Sequence, residues 1–98
     1  MALRDISDRA AVLQAIAEYD AIGEEAFLEK YGFDLSRVFW LEHDGRRYAS
    51  KAILGAAHAY QFPEAGPLTA TDFTGGERTV RKLRSLGFTV LDEQQPSN

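Results

Sequence analysis

Two short stretches carry side chains suited to holding an anion. In the first, Ser50 and Lys51 stand where a strand-like pattern gives way to a helical one. A serine there is a good N-cap, because its hydroxyl accepts from the free N–H groups of the first turn. Lys51 then lies beside the positive end of the helix. In the second, Thr74-Gly75-Gly76-Glu77 precedes Arg78. Thr74 and Glu77 have the spacing of a capping box. The two glycines leave backbone N–H groups open to an approaching phosphate. His58 and Gln61, near the end of the helix that Ser50 would start, could face base edges; a packed or surface histidine is the plainer reading of His58. Capped helices are common, so each stretch alone also fits an ordinary strand-to-helix corner.

Catalytic chemistry finds no comparable footing. There is no Ser-His-Asp order, nucleophile elbow, Walker loop or pair of histidines on one helix face. The chain has no cysteine and only two histidines, His43 and His58, so a metal centre is not expected. His43 and Asp44 adjoin in a turn, without the further ligands a nuclease metal would need. The expectation is a binding module with no cofactor and no catalytic residue.

Net charge is −4, which taken alone speaks against nucleic acid as a partner. The distribution is more informative. Residues 1–34 hold eight acidic side chains and three basic ones, whereas residues 35–90 hold five acidic and eight basic, a difference of +3. Such a split permits one positive face on an acidic protein, although scatter over a solvated surface would look the same. Together, the two helix starts and these cations make backbone-directed DNA binding a reading worth carrying.

The elements that must position these residues fit a single domain of 98 residues. Ser7 is placed to cap a first helix over about residues 8–20, with Val12, Ile16 and Tyr19 inward. A second helix over about 24–31 buries Phe27, Leu28 and Tyr31 and ends at Gly32. Glu24 and Glu25 read as solvated helix charges. Residues 38–43 form a strand, and Asp44-Gly45 is a two-residue hairpin turn. The return strand, 46–49, sets Arg46 and Tyr48 on one face and Arg47 and Ala49 on the other. It runs into a small-sided helix to about residue 60, whose buried stripe is Ile53, Ala56, Ala57 and Tyr60. A loop over 61–67 follows. In the last helix Val80, Leu83 and Leu86 face inward, with Arg78, Arg81 and Lys82 on the other side. Gly87 ends it, and residues 88–91 form a short strand. The fold expected is α+β: about four helices packed around a β-hairpin, with a short C-terminal strand. Residues 1–91 form the domain and 92–98 a flexible tail or linker start. No apolar run is long enough to span a bilayer and no N-terminal signal is present, so the cytoplasm is the expected compartment.

The order AFLEKYGF (26–33), HDGRRYASKAILGAAHAYQF (43–62), GPLTATDFTGGERTV (66–80) and LRSLGFTV (83–90) resembles the DNA sulfur-binding domain. That domain occurs in restriction endonucleases that attack phosphorothioate-modified DNA, typically joined to an HNH nuclease domain. The resemblance covers about residues 8–91. It implies binding to double-stranded DNA in which sulfur replaces a non-bridging phosphate oxygen. Tyr48, Ala49 and Ala52, with Tyr31 as a further ring wall, would line the sulfur pocket. Ser50, Lys51, Gly75, Gly76, Arg78 and Thr79 would meet phosphates, and His58 and Gln61 base edges. Sulfur is large, polarizable and a poor hydrogen-bond acceptor, so rings and methyls suit it better than N–H donors. Burying a few tens of Å² is worth on the order of 1 kcal/mol, about fivefold in affinity. This chain departs from the pattern twice: Ala49 stands where proline is frequent, and Glu24 where a basic residue is expected. The nuclease, if any, would act in cis or in trans. The rival readings are a protein-interaction module and a DNA-binding domain indifferent to sulfur.

Overall fold

The computed structural model describes residues 5–34, 39–73 and 76–92. Helix α1 (Arg9–Ile22) is capped by Asp8, whose carboxylate accepts from the Ala10 N–H at 2.9 Å. Ser7, expected in that role, instead gives its N–H to Gln61. Ala11, Val12, Ala15, Ile16 and Tyr19 form the buried stripe. Gly23, at φ 90°, turns the chain directly into α2 (Glu24–Tyr31). Gly32 closes α2 in the left-handed region at φ 74°, where glycine carries no Cβ penalty.

Strands β1 (Phe39–His43) and β2 (Arg46–Ala49) pair through the turn at Asp44 and Gly45, both with positive φ, as that dipeptide requires. The final strand, β3 (Thr89–Asp92), returns to β1, giving an antiparallel sheet of order β2-β1-β3. It starts one residue later and ends one later than expected. Register sets Leu41 beside Tyr48 on one side and Val90 on the other, all three buried. Trp40, Ala49 and Leu91 align on the opposite face.

Helix α3 (Ser50–Gln61) is the hub of the domain. Its spacing predicts a single buried stripe, but Ala52 to His58 is buried on every side. The small side chains serve that enclosure. α1 packs more extensively on α3 than any other pair of elements. At Gly55 a Cβ would come within 2.8 Å of the Leu68 carbonyl and 2.9 Å of the Phe33 ring. Tyr60, expected inside, is exposed and gives its hydroxyl to Glu18 on α1. A 3₁₀ turn, Ala70–Asp72, follows the loop; Thr69 and Asp72 cap it reciprocally. The capping pair expected at Thr74 and Glu77 falls partly outside the described residues. Helix α4 (Gly76–Ser85) buries Thr79, Val80 and Leu83.

Candidate nucleic-acid interface

The α3 joint differs from its expected form in one detail that organises the site. Ser50 is not the N-cap but the first helical residue; Ala49 holds the cap position without a side-chain bond. The hairpin feeds straight into the helix, which leaves the Ser50 hydroxyl free to donate to the Phe39 carbonyl at 2.5 Å. The Phe39 ring in turn covers Gly76, where a Cβ would collide with it. One residue of β1 therefore touches the starts of both α3 and α4. Lys51 lies in the first turn of α3 and Arg78 in that of α4. The start of α3 has no side-chain cap, which leaves its first N–H groups uncommitted, and both helix starts carry positive dipole potential, so the two together suit consecutive anionic groups.

Several cations already have partners. Arg46 meets Asp20 at 3.3 Å, and Arg81 meets Glu77 at 2.8 Å. Arg84 reaches the Val90 carbonyl, and Arg9 reaches that of Leu86 while lying over the Phe88 ring. Lys82, expected on the outer face of α4, is half-buried and donates to the Ile6 carbonyl. Among the described residues, Arg47, Lys51 and Arg78 are left without a side-chain partner.

Tyr48, Ala49 and Ala52 are all buried at the joint, with exposures of 2%, 3% and 1%, so it is a closed apolar patch and not an open pocket, and the register sets Tyr48 and Ala49 on opposite faces of the sheet. The Tyr48 ring packs edge-on against Tyr19 at 5.0 Å; Tyr19 meets Phe27 at 4.8 Å, and Phe27 meets Tyr31 at 4.8 Å. Tyr31 thus stands at the far end of a row of rings from Tyr48. The row is fixed by carboxylates. Tyr48 donates to Asp20 at 2.8 Å, Tyr19 to Glu24 at 2.7 Å and Tyr31 to Glu18 at 2.6 Å. Glu24 is therefore no solvated helix charge. Burial, and then the bond to Asp20, pushes the Tyr48 phenol up to about 12. Burial acting alone would raise Glu18, but its donors Lys30, Tyr31 and Tyr60 prevail and hold it below the usual carboxylate range.

The residues expected at base edges are committed to the fold. Gln61 accepts from the Ser7 and Asp8 N–H groups and donates to Ser7 Oγ, tying α3 to the start of α1. His58 is buried, and its Nδ1 lies 2.7 Å from the Gly66 carbonyl, so that nitrogen carries the proton. Its Nε2 and the Thr79 hydroxyl are buried without a partner among the described residues. Gly75 lies outside the described residues. Sequence reasoning missed Phe39 and Asp20, whose contacts span eleven or more positions and leave no local signal.

These features define a small α+β domain with a sheet backed by helices and two helix starts joined through one aromatic residue. The chain belongs to the family described as the ScoMcrA-like N-terminal head domain, whose profile matches residues 4–92. Among solved structures it is similar to the Type IV phosphorothioation-dependent restriction endonuclease ScoMcrA, at 38% identity and a TM-score of 0.65. The likeness covers 93% of this chain and 13% of that one, so the chain spans a small part of the enzyme's length. No curated protein matches it. The resemblance read from the sequence and these likenesses point to one kind of enzyme, the phosphorothioation-dependent restriction endonuclease, as the place where similar domains occur. No helix among the described residues is long and apolar enough to cross a membrane.

Proposed function

We propose that this domain binds double-stranded DNA through its phosphate backbone and favours a phosphorothioate linkage. The observation that carries the reading is the meeting of two helix starts at Phe39, with Lys51 and Arg78 beside them and unpaired among the described residues. The likeness to an enzyme named for its dependence on phosphorothioation supplies the modified substrate. In this reading Lys51, Arg78 and the N–H groups around Ser50, Gly75 and Gly76 hold phosphate oxygens. Ala49, Ala52 and the Tyr48 ring meet the sulfur, and Thr79 and Tyr31 support the two surfaces from within. Because the patch is closed in the unbound domain, a sulfur seated there must be admitted by a small outward shift of β2 or the α3 start. Base reading by Gln61 or His58 would require releasing the contacts that they make here. The domain binds and does not cut; hydrolysis belongs to a nuclease in cis or in trans.

The test is a titration of the chain with two otherwise identical short duplexes at one fixed salt concentration. One duplex carries a stereodefined phosphorothioate on each strand, and several flanking sequences are tried. Preference for the sulfur duplex supports the proposal. Equal binding would leave a DNA-binding domain indifferent to sulfur. Absence of binding to either would point to the protein-interaction reading.

A further inference from the structure

All four tyrosines of the chain donate their hydroxyl protons to carboxylates: Tyr19 to Glu24, Tyr31 and Tyr60 to Glu18, and Tyr48 to Asp20. At the α3 joint the Ser50 hydroxyl is likewise turned away, onto the Phe39 carbonyl. The side chains buried at the joint include the Tyr48 ring and the methyls of Ala49 and Ala52. A phosphorothioate presents one non-bridging oxygen and one sulfur. The N–H groups of a helix start serve the oxygen well; the sulfur needs contact and tolerates the absence of a donor. An ordinary phosphate placed the same way would leave its second oxygen without a hydrogen bond, which is costly once water is excluded.

Resting on the reading under Proposed function, we propose that Asp20 is a specificity-determining residue of this site. By drawing the Tyr48 hydroxyl onto its carboxylate, it withholds that donor from a bound linkage and so favours sulfur over oxygen. Asp20 suits this role because it sits outside the apolar patch, with its side chain 39% exposed, and reaches in only through the phenol. The same carboxylate holds Arg46, so its removal also frees a cation. That second effect acts on plain and modified DNA alike and cancels in their ratio.

The experiment is a double-mutant cycle on the full chain, read as the ratio of dissociation constants for the plain and phosphorothioate duplexes. Asp20→Ala releases the Tyr48 hydroxyl to an oxygen acceptor and should narrow the sulfur preference roughly fivefold, through tighter binding of the plain duplex. Made in a Tyr48→Phe background, the same change has no hydroxyl to release and should shift both duplexes by one common factor. Asp20→Ser, too short to reach the phenol, should repeat the alanine result. Should the wild-type chain prefer sulfur while Asp20→Ala and Asp20→Ser leave the ratio intact, the role of Asp20 is overturned and the DNA reading stands. It is overturned too if the narrowing persists in the Tyr48→Phe background, which would assign it to charge. If the wild-type chain shows no preference, the sulfur reading fails and this inference with it.

Discussion

At the scale of single residues, the tyrosine-to-carboxylate bonds give the domain a definite dependence on pH. Burial and Asp20 raise the Tyr48 phenol from about 10 to about 12, so the neutral form is favoured in the folded state. A group raised in this way contributes stability that is fully present below pH 10 and is lost as pH rises towards 12. Tyr19, Tyr31 and Tyr60 are raised as well, by burial and then by their carboxylate partners. Tyrosinate absorbance should therefore stay flat past pH 10 and rise together with loss of the circular dichroism signal; independent titration near 10 would refute the bonded arrangement. Glu18 runs the other way. Held below its ordinary value of 4.5, it contributes stability above that pH that is lost as the pH falls through its folded value. Glu18→Ala would leave Tyr31 and Tyr60 without their acceptor and should cost about 1–3 kcal/mol at neutral pH, measured by urea unfolding. In binding, Tyr48→Ala should erase the difference between modified and plain duplexes, whereas Arg78→Ala weakens both alike. A sulfur preference intact in Tyr48→Ala would move the pocket elsewhere.

At the scale of elements, α3 shows which effect dominates when local propensity and packing disagree. Gly55→Ala in a helix interior should by propensity stabilise by about 0.5–1 kcal/mol. The added methyl, however, would stand 2.8 Å from a backbone carbonyl and 2.9 Å from the Phe33 ring. Overpacking costs about 1–3 kcal/mol, so the net prediction is destabilisation, read as a lowered melting temperature. A raised value would mean that the Leu68 loop yields easily. The same contrast explains what the sequence disclosed. The α2 boundaries, Gly32, the Asp44-Gly45 turn and Gly87 were legible because each depends on neighbouring residues and the sign of φ. The caps at Ser7 and Ser50 were misplaced because Asp8 competes locally for the first, and β1 claims the second hydroxyl across eleven positions. The all-round burial of α3 was hidden for a related reason: small side chains mark close approach without saying from which side. In the candidate site, residue types pointed to Lys51 and Arg78. Which cations remain unpaired depends on tertiary contacts such as Asp20 with Arg46, 26 residues apart.

At the scale of the molecule, a chain of net charge −4 can hold DNA only by presenting few, well-placed cations. That number is measurable, because log K falls with log salt at about 0.9 per phosphate neutralised on duplex DNA. If only the cations unpaired among the described residues, Arg47, Lys51 and Arg78, engage phosphates, the slope should be about −2.7. If DNA also draws Arg46 from Asp20 and Arg81 from Glu77, five contacts give a slope of about −4.5. Exposed pairs of this kind are worth little, about 0.2–1 kcal/mol each, so a nearby phosphate can compete for either arginine. Glu77→Gln separates the cases. It frees Arg81 and removes a negative charge from the start of α4, and should tighten binding several-fold at low salt in either case. It should leave the slope unchanged only where Arg81 already meets a phosphate in the wild-type complex; a slope steeper by about 0.9 would show that the arginine had stayed with its glutamate. A slope near zero for the wild-type chain would remove the phosphate backbone as partner and, with it, the DNA reading as a whole.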